Sequence, residues 1–198
     1  MILMIVLGII ITLLAFFLFS VFRLFLSRFI QRPFEQVIPF LRQDDAATLA
    51  ELLDASLEKQ LRDVLSHKQF RKEQLNRIRL AQERIRCRAH NVTVWQEWGD
   101  TELSKARVTG NQEIQTVADK LVVACAEFRI GASAVQTQLR IWQVKLLLLP
   151  SAKVPRLSRL RKTDDFDLLL SYEAIKETAL NLAEACGSDY HDRLLQAL

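Results

Sequence analysis

Apolar and polar positions divide this chain into two unequal parts. From Met1 to Phe22 no side chain carries a charge, and Arg23, Arg28 and Arg32 follow. A helix over 2–22, rising ~1.5 Å per residue, is long enough to cross the ~30 Å hydrocarbon core once. Lipid offers a free backbone amide no partner, so a crossing segment must be helical. A cleaved secretory signal would need a basic start, a short apolar core and small residues before the cut. This run is too long, and it exits through Phe19-Ser20-Val21-Phe22-Arg23. Residues 1–32 are therefore predicted to be an uncleaved signal anchor. Its trailing arginines put the C-terminal part in the cytoplasm, on the inner membrane if the host is bacterial. Arg23, Arg28 and Arg32 are the expected membrane-interface residues, their stems lying along the apolar extension 24–32. Residues 33–43, bracketed by Pro33 and Pro39, read as a linker with a turn or two of helix, and 44–198 as the cytoplasmic domain.

In that domain the apolar spacing is helical. Asp44 or Asp45 is a candidate N-cap for a helix over 44–65, with Leu49, Leu52, Leu53, Leu57, Leu61, Val64 and Leu65 on one face. Ser66 and Gln69 match a capping box, so the chain either restarts there or runs on. A long element over 67–108 carries Ile78, Ala81, Ile85, Ala89, Val92, Trp95, Gly99, Leu103 and Ala106 at steps of three or four. Thr109-Gly110-Asn111 punctuates it: Gly110 suits a left-handed turn position and Asn111 an N-cap. A second long element over 112–149 places Ile114, Val117, Leu121, Ala124, Phe128, Gly131, Val135, Leu139, Trp142, Leu146 and Leu149 on a coiled-coil-like seam with one stutter after Val135. Folding at Gly110 makes an antiparallel helical hairpin in which Val92 meets Phe128, Ile85 meets Val135, Ile78 lies near Trp142 and Trp95 faces Cys125. Thr163 or Asp164 is expected to cap a last substantial helix over 164–186, stopped by Gly187 and followed by a short tail.

Composition supports an all-α class. Five glycines and four prolines occur in 198 residues, and strong β-formers nowhere alternate with polar residues for long. Cys87, Cys125 and Cys186 are odd in number and form no CxxC pair, as buried reduced thiols would. The net charge of +4 conceals segregation. Residues 62–90 hold nine Lys or Arg against three acids, 153–162 hold five and no acid, and 163–198 hold eight acids against two bases. Helices of opposite sign can neutralise one another in a bundle. The basic surplus, Arg71, Lys72, Arg77, Arg79, Arg84, Arg86, Arg88, Lys153, Arg156, Arg159, Arg161 and Lys162, is the candidate patch for a polyanion or partner.

No chemistry declares itself. His67 follows Asp63 by four, which would put both on one helix face; His90 adjoins the seam, and His191 lies between acids in the tail. No zinc spacing, phosphate-binding loop, nucleophile elbow or dinucleotide fingerprint occurs, and the basic run 71–79 has no interleaved aromatics for base stacking. The tryptophans read as core anchors. The sequence thus points to a single-pass membrane protein, not an enzyme, that needs no metal or cofactor. Its helical domain would serve as an adaptor or scaffold for a protein partner or for itself. The competing reading is a membrane-tethered binder of nucleic acid or acidic lipid through 68–88 and 153–162.

Overall fold

The computed structural model describes residues 32–149, 153–160, 162–163 and 166–197. The expected span, with Arg23 and Arg28, lies outside the described residues. Among those described, no helix is long and apolar enough to cross a membrane.

The chain is mostly helical. A 3-10 turn at Phe34–Gln36 leads into a one-turn helix α1 (Val37–Phe40), then α2 (Ala46–Leu52), α3 (Ala55–Val64), the long α4 (His67–Thr109) and α5 (Gln112–Leu148), a second 3-10 turn at Leu157–Leu160, two short strands, and finally α6 (Leu168–Cys186) and α7 (Ser188–Ala197). The strands β1 (Lys162–Thr163) and β2 (Phe166–Asp167) pair antiparallel, a small departure from an all-α chain.

Capping explains most boundaries. Asp45 accepts from the Thr48 amide and opens α2. The single helix expected over 44–65 is two, because Asp54 accepts from the Ser56 amide and hydroxyl, stopping one helix and starting the next. Ser66 and Gln69 do form a reciprocal capping box, and α4 begins there. It then runs unbroken through Gly99 and Asp100 to Gly110, whose φ of 74° is the left-handed conformation that glycine adopts without steric cost. Asn111 accepts from the Ile114 amide and starts α5. The last long helix begins later than expected: Asp167 accepts from the amides of Leu169 and Leu170 and is the N-cap, while Asp164 lies outside the described residues. The expected tail is the helix α7, with Leu194 buried.

The two long helices pack along their length as an antiparallel hairpin. Three contacts across the hairpin hold the register. Gly99 abuts Leu121 and Val122, so closely that an added Cβ would sit 3.1 Å from Val122 Cγ2. Arg129 Nη1 donates to Gln96 Oε1 at 2.8 Å. At the open end, Arg71 Nη2 donates to the Leu146 and Leu149 carbonyls and caps α5.

On α5 the buried positions are Ala118, Leu121, Cys125, Phe128, Ala132, Val135, Leu139 and Leu146. From Ala118 to Leu139 they alternate in steps of three and four without the expected stutter, and Leu146 follows one heptad later. Ala118, Cys125 and Ala132 hold places assigned from sequence to Val117, Ala124 and Gly131, while Leu149 is exposed. On α4 the buried guanidinium of Arg88 holds the place expected for Ala89. Phe128 lies 5.9 Å from the Phe166 ring and 5.7 Å from Tyr172, tying α5 to β2 and α6. Phe34 and Val37, in the stretch read as a linker, are buried in the core. The Phe34 ring stacks on Tyr190 at 4.1 Å and tilts against Trp98 at 5.4 Å.

Candidate functional site

The basic residues that sequence analysis grouped as one patch divide into structural and surface sets. Arg77 is buried: its Nη2 donates to the Leu52 carbonyl at 2.8 Å, and its Nη1 reaches Gln74 Oε1 at 3.4 Å. Burial presses its pKa below the usual arginine value, against the attraction of Glu58. Gln74 donates to Glu58 and to the Pro155 carbonyl, and Ser158 donates to the other Glu58 oxygen. This buried network fastens α3 and the 3-10 turn at 157–160 to α4. Arg71 is the α5 cap. Lys72, Arg79, Arg86, Lys153, Arg156 and Arg159 are exposed and Arg84 half-buried, while the Arg161 and Lys162 side chains lie outside the described residues. Arg32, expected at the lipid interface, donates from Nε to Glu97 Oε2 at 2.8 Å and rests over the Phe40 ring.

Arg88, 1% exposed, is the centre of a second polar network. Its Nε donates to Asp44 Oδ2 at 2.8 Å, and its guanidinium lies 4.6 Å from the Tyr172 ring centre. Asn91 bridges the same elements: it accepts from the Arg42 amide and donates to the Arg42 carbonyl and the Tyr172 hydroxyl. Both Arg88 terminal nitrogens and Asp44 Oδ1 are buried without hydrogen-bond partners. Burial raises the Asp44 pKa, with Arg88 opposing it. Burial also raises the Tyr172 hydroxyl, so that it stays protonated. No local pattern marks this network, because Asp44 and Tyr172 are distant in the chain from Arg88 and Asn91 and reach them only through tertiary packing.

A cleft of about 520 Å³ opens beside it, lined by Arg42, Asp44, Asp45, Arg84, Tyr172 and Lys176 among others. The nearby Cys87 thiol donates to the Gln43 carbonyl at 3.5 Å, and burial with Asp44 raises its pKa, the wrong direction for an activated thiolate. His67 and Asp63, read as one helix face, stand on different helices, α4 and α3. His90 Nε2 lies 3.0 Å from the Phe40 carbonyl, and His191 lies 3.5 Å from Asp192. Among the described residues no three His, Cys, Asp or Glu side chains are placed to hold a metal ion.

The exposed apolar residues concentrate on α5. Val123, Ile130, Ile141, Val144 and Leu148 stand on the side opposite the hairpin seam, Ile130 and Leu148 each 72% exposed. Exposed Ala134 and Thr137 fill the stripe's middle. Neither protein-family models, curated proteins nor solved structures match this chain.

Proposed function

We propose that the chain is a membrane-anchored helical adaptor whose domain offers the outer face of α5 to another protein, with the C-terminal part in the cytoplasm. The observation that carries this reading is the apolar stripe from Val123 to Leu148 on a helix whose opposite face is already packed. A water-facing apolar strip of this length is costly unless something covers it. The uncharged run 1–22 supports the anchor. The polyanion reading is weakened because Arg71, Arg77 and Arg88 are engaged within the fold. What remains of that patch is scattered charge without stacking aromatics.

Photo-crosslinking in native membranes tests the reading. A photoreactive residue at Ile130 or Ile141 is expected to yield a protein crosslink, and one at Lys72 on α4 is not. Crosslinks at Lys72 alone would overturn the assignment of the surface.

A further inference from the structure

The stripe on α5 is nearly symmetric in side-chain size about its midpoint. Counted from a point between Val135 and Gln136, Ala134 mirrors Thr137, Ile130 mirrors Ile141, Glu127 mirrors Val144, and Val123 mirrors Leu148. All eight are exposed. A helix turns about 100° per residue, so these positions share one face, away from the buried series Leu121, Cys125, Phe128, Ala132 and Val135. We infer that this face pairs with the same face of a second copy of the chain, the two α5 helices running antiparallel about a two-fold axis at Val135–Gln136. The inference rests on the adaptor reading and names the protein that the surface takes.

A two-fold contact brings one patch onto itself, so the patch must be self-complementary. Mirror symmetry of side-chain size along the helix provides that. Ile130 of each copy then meets Ile141 of the other, and Val123 meets Leu148. At the crossing, Ala134, Thr137 and Ser133 are small enough for the axes to approach to about 8 Å. Charge fits the same register. Glu127 and Lys145, both exposed, lie on the same edge of the stripe. An antiparallel two-fold sets like edges together, so Glu127, level with Val144 of the second copy, has the adjacent Lys145 of that copy beside it on the same edge, twice. A parallel pair would instead set unlike edges together and bring no Lys145 to Glu127. From Val123 to Leu148 the face runs ~38 Å, and with a helix width of ~10 Å it presents roughly 400 Å² in each copy. With its polar rims the contact comes to about 1,000 Å² in total, the lower end of specific interfaces. Two copies held in one membrane would pair more readily through their raised effective concentration.

Sedimentation of the full chain in mild detergent tests this across a concentration series. The wild type is expected to move from monomer to dimer, and Ile141→Glu to raise the dissociation constant by about 100-fold or more. Glu127→Lys and Lys145→Glu are each expected to weaken pairing by about 5- to 20-fold, and the double exchange to restore it to within about threefold. Helical circular dichroism confirms that each variant folds. If Ile141→Glu does not, Ala134→Cys must give a disulfide-linked dimer on mild oxidation that the wild type does not give. A wild type monomeric at every concentration, a dimer indifferent to Ile141→Glu, or a double exchange without rescue would each overturn the proposal. A monomer that still crosslinks through Ile141 to a different protein overturns the dimer and leaves the adaptor reading standing. A monomer with no crosslink on this face overturns both.

Discussion

Replacing Phe128 by alanine removes the side chain that joins three elements. The ring is buried on the inner face of α5, 5.7 Å from Tyr172 of α6 and 5.9 Å from Phe166 of β2. The cost has two sources: the apolar area no longer withheld from water and the cavity left among neighbours that cannot collapse into it. Gly131 limits the collapse, because its missing side chain is what lets the Phe166 ring lie against the α5 backbone. Phe-to-Ala changes in such sites cost about 3–5 kcal/mol, which in a domain of this size lowers Tm by roughly 6–20 °C. Thermal and urea unfolding of the full chain in mild detergent, followed by helical circular dichroism, measures the loss. Because the ring ties α6 to the hairpin, α6 should also show faster amide exchange in the variant. A loss below about 1 kcal/mol would mean that the ring is not a shared core contact, and the packing of α6 on α5 would have to be redrawn.

Three further outcomes follow from single positions. Gly131→Ala would set a Cβ 2.6 Å from the Phe166 ring and is expected to cost about 1–3 kcal/mol, whereas Gly99→Ala meets Val122 at 3.1 Å and gains helix propensity, so it should be near neutral; paired urea titrations decide. Arg77→Ala strips hydrogen bonds from the Leu52 carbonyl and Gln74 and should destabilise by about 1–3 kcal/mol, while exposed Arg79→Ala stays within about 0.5 kcal/mol; equal losses would contradict the division of the basic residues. Burial raises the Cys186 thiol pKa to about 11 from 9.0, so native Cys186 should hold about 100-fold less thiolate than a free thiol at mild pH. Because the unfolded thiol ionises first, its contribution to stability is present below pH 9 and is lost as pH rises towards 11. Alkylation rates against pH, followed by mass spectrometry, check this.

Local signals made the hairpin legible. Ser66 with Gln69, Gly110 and Asn111 each act within a few residues, so their meaning survives without knowledge of the rest of the fold. The break at Asp54 was equally local, but the apolar series Leu49, Leu53, Leu57 and Leu61 passes through it in helical register and hides it. Seam positions were harder to read. Ala118, Cys125 and Ala132 each adjoin another small or apolar residue, Val117, Ala124 and Gly131, so the two registers read alike in the sequence. Around Val94, Glu97, Trp98 and Glu102 the helix α4 is buried beyond one stripe, since α1, α6 and Phe34 surround it. Off-seam Trp98 was the one available hint. The Arg88 network was not legible at all, because a buried arginine has the same letter as an exposed one. Its partners Asp44 and Tyr172 are set by tertiary closure.

Membrane attachment with a cytoplasmic domain is the claim on which the adaptor reading depends, and one fractionation tests it most directly. Membranes from the native host, carrying the full chain with a C-terminal epitope, are extracted with alkaline carbonate, and sealed vesicles of each orientation are treated with protease. The account predicts that the epitope stays with the carbonate-washed membrane and is digested only where the cytoplasmic face is outward. Recovery of the intact chain in the soluble fraction, or digestion from the opposite face, would contradict it.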